Sequence, residues 1–220
     1  MVAGDLGYIQ TLAVEQQQAG AAILDVNVGA PDVDEVEMLP RAVQAVQAVS
    51  SLPLQLDSAN PQALAAALRV YNGKPVVNST SGEDEKMEAV LPLCKKYGAA
   101  VVCLTLDEAG IPAEAEGRLA VAQKILDAAL DVGMPREDVY IDCLTLAASA
   151  EPNAGIETLR AVRLVKQELG LKTVLGVSNI SFGLPQRPLL NRTFLAMALL
   201  AGLDLPILNP GGEELQGTRV

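Results

Sequence analysis

Seven short runs rich in Leu, Val and Ile each end in an aspartate or an asparagine. They are AAILDVN (Asp25, Asn27), LPLQLDSAN (Asp57, Asn60), KPVVNST (Asn78), AAVVCLTLD (Asp107), DVYIDCL (Asp142), KTVLGVSN (Asn179) and LPILN (Asn209). An ionised carboxylate accepts two hydrogen bonds, and a carboxamide both accepts and donates. A mixed set of the two therefore suits a flat heteroaromatic ring with an amide-like edge. On this reading Asp57, Asn78 and Asp142, expected on neighbouring strands, grip such an edge. The same residue types also cap helices and close βα turns, and that duty is expected for Asn60 and Asp107. Other chemistries fit less well. A Schiff-base lysine should stand at a strand end, but Lys74 and Lys172 lie at strand beginnings, the opposite rim. A Mg²⁺ site of three carboxylates is a poorer match for acids interleaved with asparagines. Gly211-Gly212 could serve as a phosphate loop, yet two acids follow at once.

Between the runs lie stretches of helical periodicity, so strand, polar terminus and helix alternate along the chain. That order builds a parallel barrel whose strand C-termini share one mouth. Helices are expected over 6–20 (closed by Gly20), 33–50, 61–71 (Pro61 in the first turn), 82–97, 113–132 and 154–169. The segment ISFGLPQRPLLNR reads as a long loop before a last helix, TFLAMALLAG. The chain shows seven strand runs, whereas a closed barrel of this type takes eight. The expected fold is an α/β, TIM-type (β/α)8 barrel that lacks its first strand, either as a fragment or as an open variant. One domain is expected over 1–220, with a polar tail at 211–220.

Half of the 220 residues are hydrophobic, but aromatics make up only 3% and tryptophan is absent. Ala, Leu and Val do the filling, as suits helices packed on buried parallel strands. A net charge of −11 argues against nucleic acid and against anionic membrane surfaces. Cys94, Cys103 and Cys143 have no C-x-x-C spacing, and the chain has no histidine, so a zinc site or a Cys-His nucleophile is not expected. No apolar stretch approaches the roughly 20 residues of a membrane span. No signal peptide opens the sequence. The expected location is cytoplasmic.

The motifs LDVNVG, LDSAN, VVNSTS, YIDCL, LGVSNISFGLPQRPLLNR and ILNP resemble, in order and spacing, those of the pterin-binding methyltransferase family. That family includes the methyltetrahydrofolate:corrinoid/iron-sulfur protein methyltransferases and the folate-binding module of cobalamin-dependent methionine synthase. The resemblance runs from about Gln10 to Pro210, and GVSNISFGLPQRPLLNR is its most specific piece. It implies a barrel related to dihydropteroate synthase, with a pterin across the strand C-termini. Carried over by motif, Asp57, Asn78 and Asp142 look like pterin-edge contacts. Asn179 is similar to the catalytic residue beside the methyl-bearing ring nitrogen. Gly176 and Ser178 match positions near the ring, Arg187 matches an arginine of the following loop, and Asp25 and Asn27 resemble supporting residues of the site.

The activity so implied is methyl transfer from 5-methyltetrahydrofolate to cob(I)alamin held by a corrinoid protein or cobalamin domain, with no metal bound by this chain. Dimerisation is left open. The family's opening strand, which carries a Glu and an Asn, has no counterpart here. Two other readings stand beside this one: a pterin- or corrinoid-protein-binding module without catalysis, and a dihydropteroate synthase-like condensing enzyme.

Overall fold

A computed structural model describes residues 5–212; the expected polar tail lies mostly outside them. Seven strands alternate with seven helices. In chain order these are α1 (Leu6–Gln18), β1 (Leu24–Asn27), α2 (Glu35–Gln47), β2 (Leu54–Asp57), α3 (Pro61–Val70), β3 (Val76–Ser81), α4 (Asp84–Tyr97) and β4 (Ala100–Leu104). They continue with α5 (Ala115–Asp131), β5 (Val139–Asp142), α6 (Ala154–Leu164), β6 (Lys172–Gly176), α7 (Arg187–Ala201) and β7 (Leu205–Ile207). The strands pair in sequence order and every pairing is parallel. Among the described residues β1 and β7 each have a single neighbouring strand. The curled sheet with its outer helices is the α/β barrel architecture expected from the strand–helix alternation.

Local signals set the helix boundaries. The Asp5, Asp34 and Asn60 side chains accept N–H groups from the first turns of α1, α2 and α3, satisfying donors that have no partner inside the helix. Helix α4 has Asp84 and Glu85 in its first turn and Lys95 and Lys96 in its last, the order its dipole favours. It ends at Gly98, whose φ of 66° suits a residue without a Cβ.

Three boundaries differ from the sequence expectation. Strand β5 leaves the sheet at Asp142, before the end of the run DVYIDCL. Strand β6 stops at Gly176, and Val177–Ser181 forms a 3-10 turn, so Ser178 and Asn179 are not strand residues. Helix α7 begins at Arg187, six residues before the expected Thr193. Pro188 in its first turn has the backbone angle a helix start needs, which turns the second half of the expected loop into helix.

Period-two alternation divides the core into two bodies. Leu24, Val26, Leu54, Leu56, Val77, Val101, Ile141 and Leu175 face outward into the main core, packed with the helices. Val76, Ala100, Val102 and Val174 face the lumen, with Leu104, Tyr140, Leu205 and Ile207 against them. All three cysteines are buried and unpaired. At the strand N-termini Lys74 pairs with Asp138 at 2.6 Å, on the rim opposite the strand ends. Among the described residues no helix is long and apolar enough to cross a membrane.

Leu56 is fully buried on the outward face. Leu56→Ala should therefore lower unfolding free energy by about 2–5 kcal/mol, the cost of a core cavity. Urea denaturation measures this, and a loss below about 1 kcal/mol would contradict the assigned face of β2.

Candidate functional site at the strand C-termini

The alternation that sends Leu56 and Val77 outward sends the next residue of each strand into the lumen. In β2, β5 and β6 the last inward residues are Asp57, Asp142 and Gly176, one step above Gln55, Tyr140 and Val174; in β3 Asn78 stands one step above Val76, and the strand runs on to Ser81 past a register shift. The lumen thus has an apolar floor on one side and a polar rim. Asn27 lies opposite Asp57, and Asp57 opposite Asn78, in consecutive register. The Asn27 Nδ2 donates to Asp57 Oδ2 at 2.8 Å, and Asn27 Oδ1 accepts the Gly29 N–H at 2.8 Å. One step lower, Gln55 Nε2 donates to Asp25 Oδ1 at 2.7 Å.

Asp142 faces the same mouth from β5. It is not a neighbour of Asn78 as the sequence reading had it, because β4 lies between β3 and β5. Strand β4 presents Val102 opposite Asn78 and Leu104 opposite Asp142. The polar groups therefore form a contiguous row on β1–β3 and a separate acid on β5, with an apolar strip between them. Asp142 is buried, and its Oδ1 accepts the Leu144 N–H at 2.7 Å. Burial pushes its carboxyl up to about 7, against the opposing pull of that N–H and of Arg118. Asp25 rises to about 6, first through desolvation and then through Asp57, while its bond from Gln55 and the Asn78 amide pull it down. Asp57 is raised too, by burial first, with Glu35 adding to it and Asn27 opposing.

The end of β6 brings Gly176, Ser178 and Asn179 to the rim in a turn. The half-buried Asn179 side chain lies over Gly176: a Cβ at residue 176 would stand 3.2 Å from Asn179 Nδ2, so a larger residue would displace that amide. Arg187 braces the same turn. Its Nε donates to Ser181 Oγ at 3.0 Å, its Nη2 to the Ser178 carbonyl at 3.4 Å, and its guanidinium stacks 4.9 Å from the Phe182 ring centre. Beside β1 the lumen opens sideways through a cleft of about 590 Å³ reaching Asp25, Gln55, Leu205 and Ile207.

The remaining strand-end residues are turn and cap groups. Asn60 caps α3 and Asp107 Oδ1 accepts the Ala109 N–H, as expected. Asn209 takes the Gly211 N–H on its side chain and the Gly212 N–H on its carbonyl, so those amides already have acceptors and do not form a phosphate cradle. Sequence reasoning missed Gln55 and Arg118. Gln55 carried a signal, since a polar residue two before Asp57 must share its face. Glu35, which accepts the Ser58 hydroxyl, gave none beyond its place in the first turn of α2.

Together these groups can accept and donate along one edge of a planar ligand, lay its face on apolar side chains, and hold a proton near neutral pH. The raised Asp142 also sets a pH dependence of folding. Its native carboxyl keeps a proton that the unfolded chain has lost from about pH 4 upward, so its contribution to stability is lost as pH rises through about 7. Asp142→Asn, which can still accept the Leu144 N–H, should gain stability relative to wild type between pH 5 and pH 8. Urea titrations at a series of pH values read this difference; a constant offset between the two proteins would contradict it.

The chain resembles known proteins in both sequence and fold. The chain is 30% identical to the methylcorrinoid:tetrahydrofolate methyltransferase of Eubacterium limosum, over 97% of its own length and 80% of that protein. It is 35% identical to the methionine synthase of Mycobacterium leprae, over 95% of its length, but spans only 18% of that larger polypeptide. In structure it superposes on Yersinia pestis DHPS with a TM-score of 0.78 at 15% identity, covering 97% of this chain and 86% of the other. The dihydropteroate synthase of Xanthomonas albilineans gives 0.73 at 17%, covering 98% and 85%. These two likenesses concern the fold. Residues 3–209 match the family described as pterin binding enzyme, and the chain belongs to that family.

Proposed function

We propose that this chain moves the methyl group of 5-methyltetrahydrofolate to a corrinoid, in the cob(I)alamin state, carried by another protein or domain. The observation that carries the reading is the registered row Asn27–Asp57–Asn78 facing Asp142 across an apolar strip. A pterin has the complementary pattern: a flat ring whose amino, N–H and carbonyl edge asks for both acceptors and donors. Asp57, Asn78 and Asp142 would hold that edge, Asp25 and Gln55 would support the row from below, and the rim turn of Gly176 and Ser178 would lie against the ring. The names of two relatives, a methylcorrinoid:tetrahydrofolate methyltransferase and a methionine synthase, support the same chemistry. The first name runs the transfer toward tetrahydrofolate. One transition state serves both directions, so the same residues act in either.

In the transfer the bond between the ring nitrogen and the methyl carbon breaks, the methyl passes to the acceptor, and the nitrogen takes up a proton. A tertiary amine leaves poorly unless protonated. Asn179 cannot supply the proton, but its amide can hydrogen-bond the nitrogen as charge changes there, stabilising the transition state more than the ground state. The corrinoid supplies the nucleophilic acceptor. This chain has no histidine to offer its metal, which favours a separate carrier.

A second reading, a pterin-binding module without turnover, is favoured by the sideways cleft beside β1, which leaves the Asp25–Gln55 pair open to water. The condensing-enzyme reading is less favoured, because the Gly211 and Gly212 amides are turned to Asn209.

Calorimetric titration with 5-methyltetrahydrofolate should show one site in the wild type and binding weakened about tenfold or more in Asp142→Ala, the loss of a charge-assisted pair. Affinity should rise from pH 6 to pH 8 as Asp142 ionises, and Asp142→Asn should flatten that rise. Asn179→Ala should still bind but transfer methyl to cob(I)alamin about 100-fold to 1,000-fold more slowly. Equal binding by wild type and Asp142→Ala, or none by either, sinks the assignment; binding without transfer selects the second reading.

A further inference from the structure

Arg118 heads the fully buried side chains of the described residues, with 1% of its surface exposed. It stands in the first turn of α5, where the helix dipole disfavours a cation. Its neighbour Gly117 lets the helix start lie hard against the β4–α5 loop: a Cβ there would stand 2.7 Å from the Pro112 Cβ. The guanidinium is held mainly by carbonyls. Its Nε donates to Pro112 O at 3.0 Å, and its Nη1 to Cys143 O and Leu144 O at 2.9 Å each and to Thr158 Oγ1 at 3.1 Å. The Thr158 hydroxyl in turn donates to Leu144 O at 3.0 Å. A cation desolvated this far is costly unless its donors find acceptors, and here two of the four acceptors are the carbonyls of the two residues after Asp142.

Those residues do not relax into an ordinary extended strand. Leu144 has a φ of 58°, a left-handed conformation that a side chain with a Cβ resists. That conformation turns the Leu144 N–H back onto Asp142 Oδ1 at 2.7 Å. Release of the Leu144 carbonyl would let the backbone return to an extended form and take the N–H away. The carboxylate would then lose the bond that aims it.

We propose that Arg118 is a positioning residue for the site: through the Cys143 and Leu144 carbonyls it fixes where the Asp142 carboxylate points, without itself reaching the mouth. Its burial keeps it from touching any ligand. The groups around this unit are few. Arg118 approaches from α5, Cys143 adjoins Asp142 on β5, and Glu157 of α6 acts on the guanidinium from the outer side. The Arg118 charge and the Leu144 N–H both favour the ionised form of Asp142. Only the ligand named in the test rests on the pterin reading; the clamp itself does not.

The test uses the full chain labelled with ¹³C-aspartate, with the Asp142 carboxyl signal assigned by its absence in Asp142→Asn. In Arg118→Met the Asp142 titration should move upward, and 5-methyltetrahydrofolate should bind about tenfold more weakly at pH 7, with circular dichroism unchanged. Thr158→Val keeps the cation and its bonds to the Cys143 and Leu144 carbonyls while removing the hydroxyl that accepts from Arg118 and donates to Leu144, so it should weaken binding less and move the titration less; it carries the test if Arg118→Met does not fold. An unmoved Asp142 titration in the folded variant overturns the proposal. If no variant and no wild type binds the folate, the pterin reading fails while the titration still decides the clamp.

Discussion

Each strand of a parallel sheet shows successive residues to opposite faces, and one-to-one pairing locks neighbouring strands into a common register. The polar row on β1–β3 and the inward face of Asp142 follow from that. The outward residues Leu54, Leu56, Val77, Ile141 and Leu175 commit their strands to the helix side because they are large and apolar. Once they do, Gln55, Asp57, Asn78, Tyr140 and Asp142 can only face the lumen. Slipping β2 by one residue would expose two leucines to the lumen and drive Asp57 into the outer core. The hydrophobic energy of the outer layer thus holds the polar row in place, though its side chains point away from the site.

The rim is acidic, and its acids hold their protons to higher pH than free carboxyls do. Asp142 is raised to about 7 mainly by the cost of charge in a buried position, whereas Asp25, which opens to the cleft beside β1, is raised to about 6 by partial desolvation and by Asp57. Asparagine and glutamine amides temper that cost on the β1–β3 side, where Asn27 and Gln55 donate to Asp57 and Asp25. On β5 the tempering comes from behind the sheet, through the Leu144 N–H and the buried charge of Arg118. The site therefore has two supports of different kind. One is a lateral network along neighbouring strands; the other reaches back into the helical layer. Asn179 belongs to neither, since it rides on a turn pinned by Arg187 to the start of α7.

Much of this was legible in the sequence because it depends on local pattern. Alternating strands and helices, polar strand ends and the capping duties of Asn60 and Asp107 are properties of short windows. Asp57 and Asn78 could be placed on one face from their spacing to the apolar residues before them. Proline in the first turn of α7 was visible too, but the glycine and proline preceding it read equally well as loop, so the helix start was set six residues late. Asn179 was taken as a strand end because LGVSN continues an apolar run; the sheet nevertheless stops at Gly176, where pairing with β7 ends.

What the sequence determined by itself is the alternation: which residues are apolar every second position, which close a strand, and hence that a parallel α/β sheet presents Asp and Asn at one rim. Tertiary structure alone decided which of these groups meet. It put β4 between Asn78 and Asp142, joined Gln55 to Asp25 across two strands, and brought Arg118 beneath a turn 25 residues further along the chain. The physical reason is range. Periodicity is set by neighbours within a turn or a strand, whereas the partner of a buried polar group is chosen by packing between elements far apart in sequence.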